Sequence, residues 1–295
     1  MISWTKEAEE AVENLPLPPM LNSYARLECE RLAKKKGVES VTPEIVAEAD
    51  KNYELAIGRD VMHKLRAMAR GEGEGMVMPE EFFEDDSKEL FSIEMCPSKY
   101  GAASDVKIEN MKKIIPPLRE KLKELKVTDL MMDLTATAVM PHCEFRVGVA
   151  GCTNACISPY FSDFGILGVY DVELIPEKCT GCGKCVDYCS LNAITMRGNL
   201  PTFNKTICVR CGGCEEFCPE SAIRVKEMGY KVVVGGSGAR HPQIAKTVTE
   251  LTDLDGVTTI LEKTINLVRE KAKEPSRVFT VSGLISKYGV DQLRD

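Results

Sequence analysis

Apolar residues change their spacing near residue 90, and the change separates two kinds of architecture. Before it the pattern is helical. Ser3 or Thr5 caps a short helix that stops before Pro16. A second helix runs from about Met20 to Lys36 and ends at Gly37, a residue suited to a helix C-terminus. Thr42-Pro43-Glu44 starts a third, with Ile45, Val46, Ala49, Ala56 and Ile57 on one side. That helix continues, bent near Gly58, toward Arg70. The glycine-rich, acidic stretch 71–90 reads as a linker. Beyond it the elements alternate. Leu90–Met95 is strand-like, Ile108–Leu125 is an amphipathic helix kinked at Pro116-Pro117, and Phe145–Val149 is strand-like. Gly165–Leu174 and Tyr230–Val234 are further strands, followed by helices over Gln243–Leu254 and Thr258–Lys273. Alternating strands and helices predict an α+β sandwich over 91–173 and 227–295, interrupted by a separate unit at 174–226. A helical module (1–70) precedes it.

Composition narrows the function classes without choosing one. The 295 residues are 44% hydrophobic and 28% charged, as in an ordinary globular protein. A net charge of −7 argues against nucleic acid as a main partner. Asp133 breaks the best apolar stretch, Leu130–Met140, so membrane insertion is not expected. The opening MISWTKEAEE has neither a basic nor an apolar leader region. With thirteen cysteines, this suits a reducing cytoplasm and an anaerobic organism.

Eight of those cysteines carry most of the chemistry. Cys179, Cys182, Cys185 and Cys189 are spaced C-x2-C-x2-C-x3-C, and Cys208, Cys211, Cys214 and Cys218 repeat the spacing 29 residues later. Ala193-Ile194 and Ala222-Ile223 shift by the same interval, so a whole unit is duplicated. Structural zinc prefers two knuckles without a third cysteine, and disulfides need an oxidising compartment. The spacing is that of a bacterial-type ferredoxin with two [4Fe–4S] clusters, where the fourth ligand crosses between repeats. The expected sets are Cys179, Cys182, Cys185 with Cys218, and Cys208, Cys211, Cys214 with Cys189. One departure is visible: Pro219 follows Cys218, but Ser190 follows Cys189.

The segment Arg146-Val147-Gly148-Val149-Ala150-Gly151-Cys152-Thr153-Asn154-Ala155-Cys156 runs from a strand through glycine into a C-x3-C pair. It resembles half of the cluster-binding motif of sirohaem-dependent sulfite and nitrite reductases. A two-cluster ferredoxin soon after, then Val232-Val233-Val234-Gly235-Gly236 and Arg240, is similar to the dissimilatory and anaerobic sulfite reductases. The resemblance implies a third [4Fe–4S] cluster on Cys152 and Cys156, with Cys96 and Cys143 completing it. It also implies that Cys156, near Asn154, bridges to a sirohaem where one is bound. Arg146 and Lys99 would add positive charge for an anion. The family's upstream cysteine pair is incomplete here: Cys96-Pro97 has no second cysteine at the usual distance. The short helical N-terminus does not supply the family's anion-binding half. His142 reads as a loop residue, His63 and His241 as structural or exposed, and Cys29 as packed in its helix.

Trp4-Thr5-x2-Ala8, Pro16, Glu28-x2-Arg31-x-Ala33, Gly37 and Val41-Thr42-Pro43-Glu44 resemble a different protein, the small C-terminal domain of the light-independent protochlorophyllide reductase subunit. Two functions stay open. The chain is an electron-transfer subunit, passing low-potential electrons through the ferredoxin clusters to a third centre. Alternatively it is a sirohaem-dependent catalytic subunit that a partner chain completes. Both imply a redox partner or further subunit and an oligomer.

Overall fold

The computed structural model describes residues 2–15, 17, 21–69, 89–96, 105–239, 241–272 and 280–294, without the side chains of 65, 68, 69 and 105–112. Residues 71–88 of the expected 71–90 linker, and Pro16, Pro97, Lys99 and Arg240, lie outside the described residues. The chain divides into two compact units. One comprises Met1–Ser92, Lys126–Phe145 and Ala272–Phe279, the other Ile93–Leu125, Arg146–Lys271 and Thr280–Asp295.

In the first unit, β1 (Ser3–Trp4), α1 (Lys6–Glu13), α2 (Asn22–Lys36), β2 (Ser40–Val41), α3 (Pro43–Ile57) and α4 (Arg59–Ala69) follow in order. Thr5 caps α1, its hydroxyl accepting from Ala8 N at 3.2 Å. Gly37 (φ 68) ends α2 in the left-handed conformation that a side chain disfavours. Gly58 (φ 97) ends α3 and lets α4 restart at a new angle. Glu28 of α2 is fully buried and fully used. It takes both arms of Arg31 at 2.7 Å, Asn52 Nδ2 at 2.8 Å and the backbone N–H of Val139 at 3.1 Å. Tyr53 donates to Val139 O at 2.7 Å. The Glu28 and Arg31 of the N-terminal motif therefore tie α2 to the segment after α6 (Val127–Leu134). Sequence reading did not anticipate α6, whose buried face is Val127, Leu130, Met131 and Leu134.

The second unit carries a five-stranded sheet. Its strands are β3 (Phe91–Met95), β4 (Phe145–Ala150), β5 (Phe164–Leu174), β8 (Ile223–Val234) and β9 (Lys246–Thr252), in that spatial order. β4 and β5 are parallel, and β8 is antiparallel to β5 and β9. Helices α5 (Asp105–Glu124), α9 (Leu254–Lys271) and α10 (Val281–Tyr288) complete it. The expected helix over Gln243–Leu254 is instead β9. Thr247, Val248, Thr249 and Thr252 are β-branched and suit a pleated edge better than a helix. The α+β class stands, as does the buried Val232–Val234 run, each residue 0% exposed.

Between β5 and β8 the chain forms α7 (Lys184–Tyr188), β6 (Ile194–Arg197), β7 (Leu200–Phe203) and α8 (Gly213–Glu216). The 29-residue repeat is written in the backbone. Ile194↔Phe203 and Thr195↔Thr202 pair in β6–β7, and their counterparts Leu174↔Ile223 and Glu173↔Arg224 pair in β5–β8. Ile175 N donates to Ala222 O and Asn204 N to Ala193 O, both at 2.7 Å. Positive φ recurs at Gly181 and Arg210, at Gly183 and Gly212, and at Asn192 and Ser221. Tyr188 and Phe217, equivalent residues, stack with centroids 3.9 Å apart. The far end of β5–β8 is thus one half of the inserted unit, while the near end lies in the main sheet.

Candidate iron–sulfur centres

Two cavities open beside the repeated loops. The first is lined by Cys179, Cys182, Cys185 and Cys218, with Met196 and Ile223 as apolar wall. The second is lined by Cys189, Cys208, Cys211 and Cys214. These are the crossed sets expected from the spacing. Backbone amides aim at the crossing sulfurs: Ala193 N reaches Cys189 Sγ at 3.3 Å, and Ala222 N reaches Cys218 Sγ at 3.2 Å. Such N–H···S contacts stabilise a thiolate.

The donor set suits an iron–sulfur cubane. Burial pushes the Cys214 thiol up to about 12, with Cys211 and Cys208 adding to the rise. Burial likewise raises Cys185, helped by Cys182 and Cys218. Buried thiols such as these two resist ionisation unless a cationic group compensates them. Among the described residues no three His, Cys, Asp or Glu side chains close on a single metal ion. The cysteines instead face into cavities.

The two loops rest on different supports. A Cβ on Gly181 would stand 2.9 Å from Asn199 O, at the tight β6–β7 turn. In the second loop Gly212 packs against the ring of Tyr170, where a Cβ would stand 3.2 Å from Cγ. Tyr170 occupies the repeat position of Asn199. Tyr170 N donates to Arg210 O at 2.9 Å, and Arg210 pairs with Asp171 at 3.0 Å. Lys205 also pairs with Asp171, and its hydrogen bond holds that carboxyl below the ordinary carboxylate range.

The second cavity reaches further, to Cys152 and Asn154. Burial pushes the Tyr170 phenol up to about 12, and Cys152 adds to the rise. Sequence reading missed Tyr170; its alignment with Asn199 in the repeat was the available signal. Cys152 and Cys156 follow β4, and the turn between comes close enough to β5 that a Cβ on Gly168 would stand 2.5 Å from Gly151 O. Cys96 follows β3, and its N–H donates to Val149 O at 2.9 Å. The Cys156 thiol is raised chiefly by Cys96, with which it shares a hydrogen bond, and also by burial and Cys152. Cys156, which is exposed, thus interacts with both Cys96 and Cys152.

Cys143 is placed elsewhere. It precedes β4, whereas Cys152 lies beyond the other end, and six extended residues at about 3.3 Å each separate the ends by ~16 Å. Against the upward push of burial, contacts with His142, the Met140 backbone and Thr135 hold its thiol below the ordinary value. Cys29 is buried in α2, with burial pushing it to about 12. Arg146 is exposed, and its backbone N–H donates to Asp163 at 2.9 Å.

Residues 127–295, more than half of the chain, match the nitrite and sulphite reductase 4Fe-4S domain. The chain belongs to that family. Over 134 residues it is 37% identical to the coenzyme F420-dependent sulfite reductase of Methanocaldococcus jannaschii, covering 45% of this chain and 22% of the relative. Over 46 residues it is 39% identical to the C subunit of the anaerobic sulfite reductase of Salmonella typhimurium, covering 16% and 14%. It therefore spans less than a quarter of either relative. The crystal structure of dissimilatory sulfite reductase I shares 18% identity and a TM-score of 0.37, over 51% of this chain and 41% of that one. The protein is a sulfite reductase-like iron–sulfur protein. Among the described residues no helix is long and apolar enough to cross a membrane.

Proposed function

We propose that this chain is a cytoplasmic, oligomeric electron-transfer subunit that passes electrons from a redox partner through two ferredoxin-type centres to a third. The observation that carries this is the shared cavity: Cys189, Cys208, Cys211 and Cys214 open onto the same space as Cys152 and Asn154. Cys179, Cys182, Cys185 and Cys218 would hold the outer [4Fe–4S] cluster, and the second set the inner one. When bound, a cubane supplies one-electron transfer over a potential range set by its surroundings. The residues supply the rest. Backbone N–H groups at Ala193 and Ala222 steady the crossing thiolates. Tyr170 packs against Gly212 of the second loop and lines the cavity shared with Cys152, and Asp171 clamps that loop through Arg210 and Lys205.

Iron and sulfide analysis of anaerobically purified protein, joined to a spectroscopic redox titration, tests the reading. Two ferredoxin clusters give ~8 iron atoms and a third raises this to ~12. Fewer than four, or zinc instead, would end the assignment.

A second reading, a sirohaem-binding catalytic subunit that a partner chain completes, draws support from the exposure of Cys156 and from the sulfite reductase names of the relatives. Acid–acetone extraction separates the two. An isobacteriochlorin spectrum with sulfite or nitrite turnover favours the catalytic reading, and its absence favours the relay. The protochlorophyllide reductase-like N-terminal module would then serve as a docking piece.

A further inference from the structure

We propose that the third centre is a three-thiolate cluster with one iron that no cysteine of this chain ligates. The inference rests on the reading that Cys152 and Cys156 hold a cluster. The cysteines can be followed one by one. The chain has thirteen. Eight line the two ferredoxin cavities. Cys29 is buried within α2, its thiol shut among Glu28, Glu30 and Arg26. Cys143 lies before β4, engaged with His142 and Thr135, while Cys152 follows the far end of the same strand. That leaves Cys96, whose N–H bonds to Val149 O near the end of β4, and Cys152 and Cys156, which follow that same end. The connecting segment 97–104 contains no cysteine, so the fourth position cannot be a thiolate from there.

An iron lacking its thiolate binds weakly and stays open to a small exogenous ligand such as hydroxide, cyanide or a free thiol. Its loss is a defined reaction. A [4Fe–4S]2+ cluster gives [3Fe–4S]+, Fe2+ and one electron, and ferricyanide, a one-electron oxidant, takes that electron. The site would therefore interconvert with iron supply, whereas the two four-thiolate clusters would not.

The test is a stoichiometric ferricyanide titration of the anaerobic full-length protein, followed by electron paramagnetic resonance at low temperature and by assay of released iron. The expected result is ~1 iron released per chain, with the signal of one [3Fe–4S]+ cluster, both reversed by Fe2+ and a reductant. In Cys96→Ser that signal disappears while the reduced ferredoxin-cluster signals remain. If the signal persists in Cys96→Ser, it arises from the ferredoxin loops and the proposal is overturned. A protein with ~12 irons, none of them releasable, keeps the third cluster but refutes the open iron. A protein with ~8 irons and only ferredoxin signals removes the third cluster itself, and the inference falls with it.

Discussion

The two ferredoxin loops share a backbone yet face different surroundings. Loop one (Cys179–Cys185) leans on Asn199 at the turn of a short hairpin with four-residue strands, and its cavity is walled by Met196 and Ile223. Loop two (Cys208–Cys214) leans on Tyr170 in the middle of a strand that continues into the main sheet, and its cavity opens toward Cys152. Even φ is matched: +72 at Gly181 against +58 at Arg210. Local sequence duplicated the loop backbone. What differs lies beyond it: the second cavity reaches Cys152 and the first does not.

The sharpest way to break this comparison is to remove one crossing cysteine at a time. Cys218→Ala and Cys189→Ala should each cost ~4 iron atoms. With a small reductant that bypasses docking, Cys218→Ala should still reduce the third centre promptly, and Cys189→Ala should not. Rapid-freeze spectroscopy reads the difference, and equal rates would show that the two cages are interchangeable.

Matched glycines give a smaller effect. Gly183 (φ 76) has nothing within 4 Å of an added Cβ, whereas at Gly212 (φ 78) the ring of Tyr170 stands in the way. Gly183→Ala should cost ~1 kcal/mol from backbone strain alone. Gly212→Ala should cost ~2–3 kcal/mol by denaturant unfolding, because Tyr170 must also move.

The clamp on loop two should be visible in pH. Lys205, and then Arg210, hold the folded pKa of Asp171 below its unfolded value. Its contribution is therefore present above the unfolded pKa and fades as pH falls through the folded one. Asp171→Asn should lose ~1 kcal/mol at pH 7 and nothing once both forms are protonated, as paired melts at neutral and strongly acid pH would show. Loop one has no counterpart: Leu200 stands in the equivalent position.

Least affected should be Ser190→Pro, which restores the residue that follows Cys218. Both clusters should survive, with a stability change under ~1 kcal/mol in a thermal melt.

The legible parts of this molecule were those encoded locally. Cysteine spacing, the Thr42-Pro43 helix start and the Gly37 and Gly58 breaks depend on neighbours within a turn or two, and each is where the spacing put it. The region over 243–254 was misread because polar threonines hid an edge strand whose partner, β8, is distant in sequence. Helix α6 was overlooked because Asp133 seemed to interrupt an apolar run, although it sits on the exposed side of a helix. Cys152 and Cys156 share a local motif, whereas the approach of Cys96 to the end of β4 follows from strand order, which no spacing records.

β5 and β8 run unbroken from the main sheet into the ferredoxin unit, joined by eleven paired positions with a bulge after Asp171. Such a ribbon is a beam without a hinge. On the relay proposed above, an electron crossing it would meet a fixed gap, so its passage should be insensitive to solvent viscosity, unlike a carrier domain that must swing to deliver. The same beam makes the ferredoxin unit poor material for transplantation. Cutting it out severs two strands in mid-ladder, and a graft that keeps the clusters must carry part of the host sheet with it.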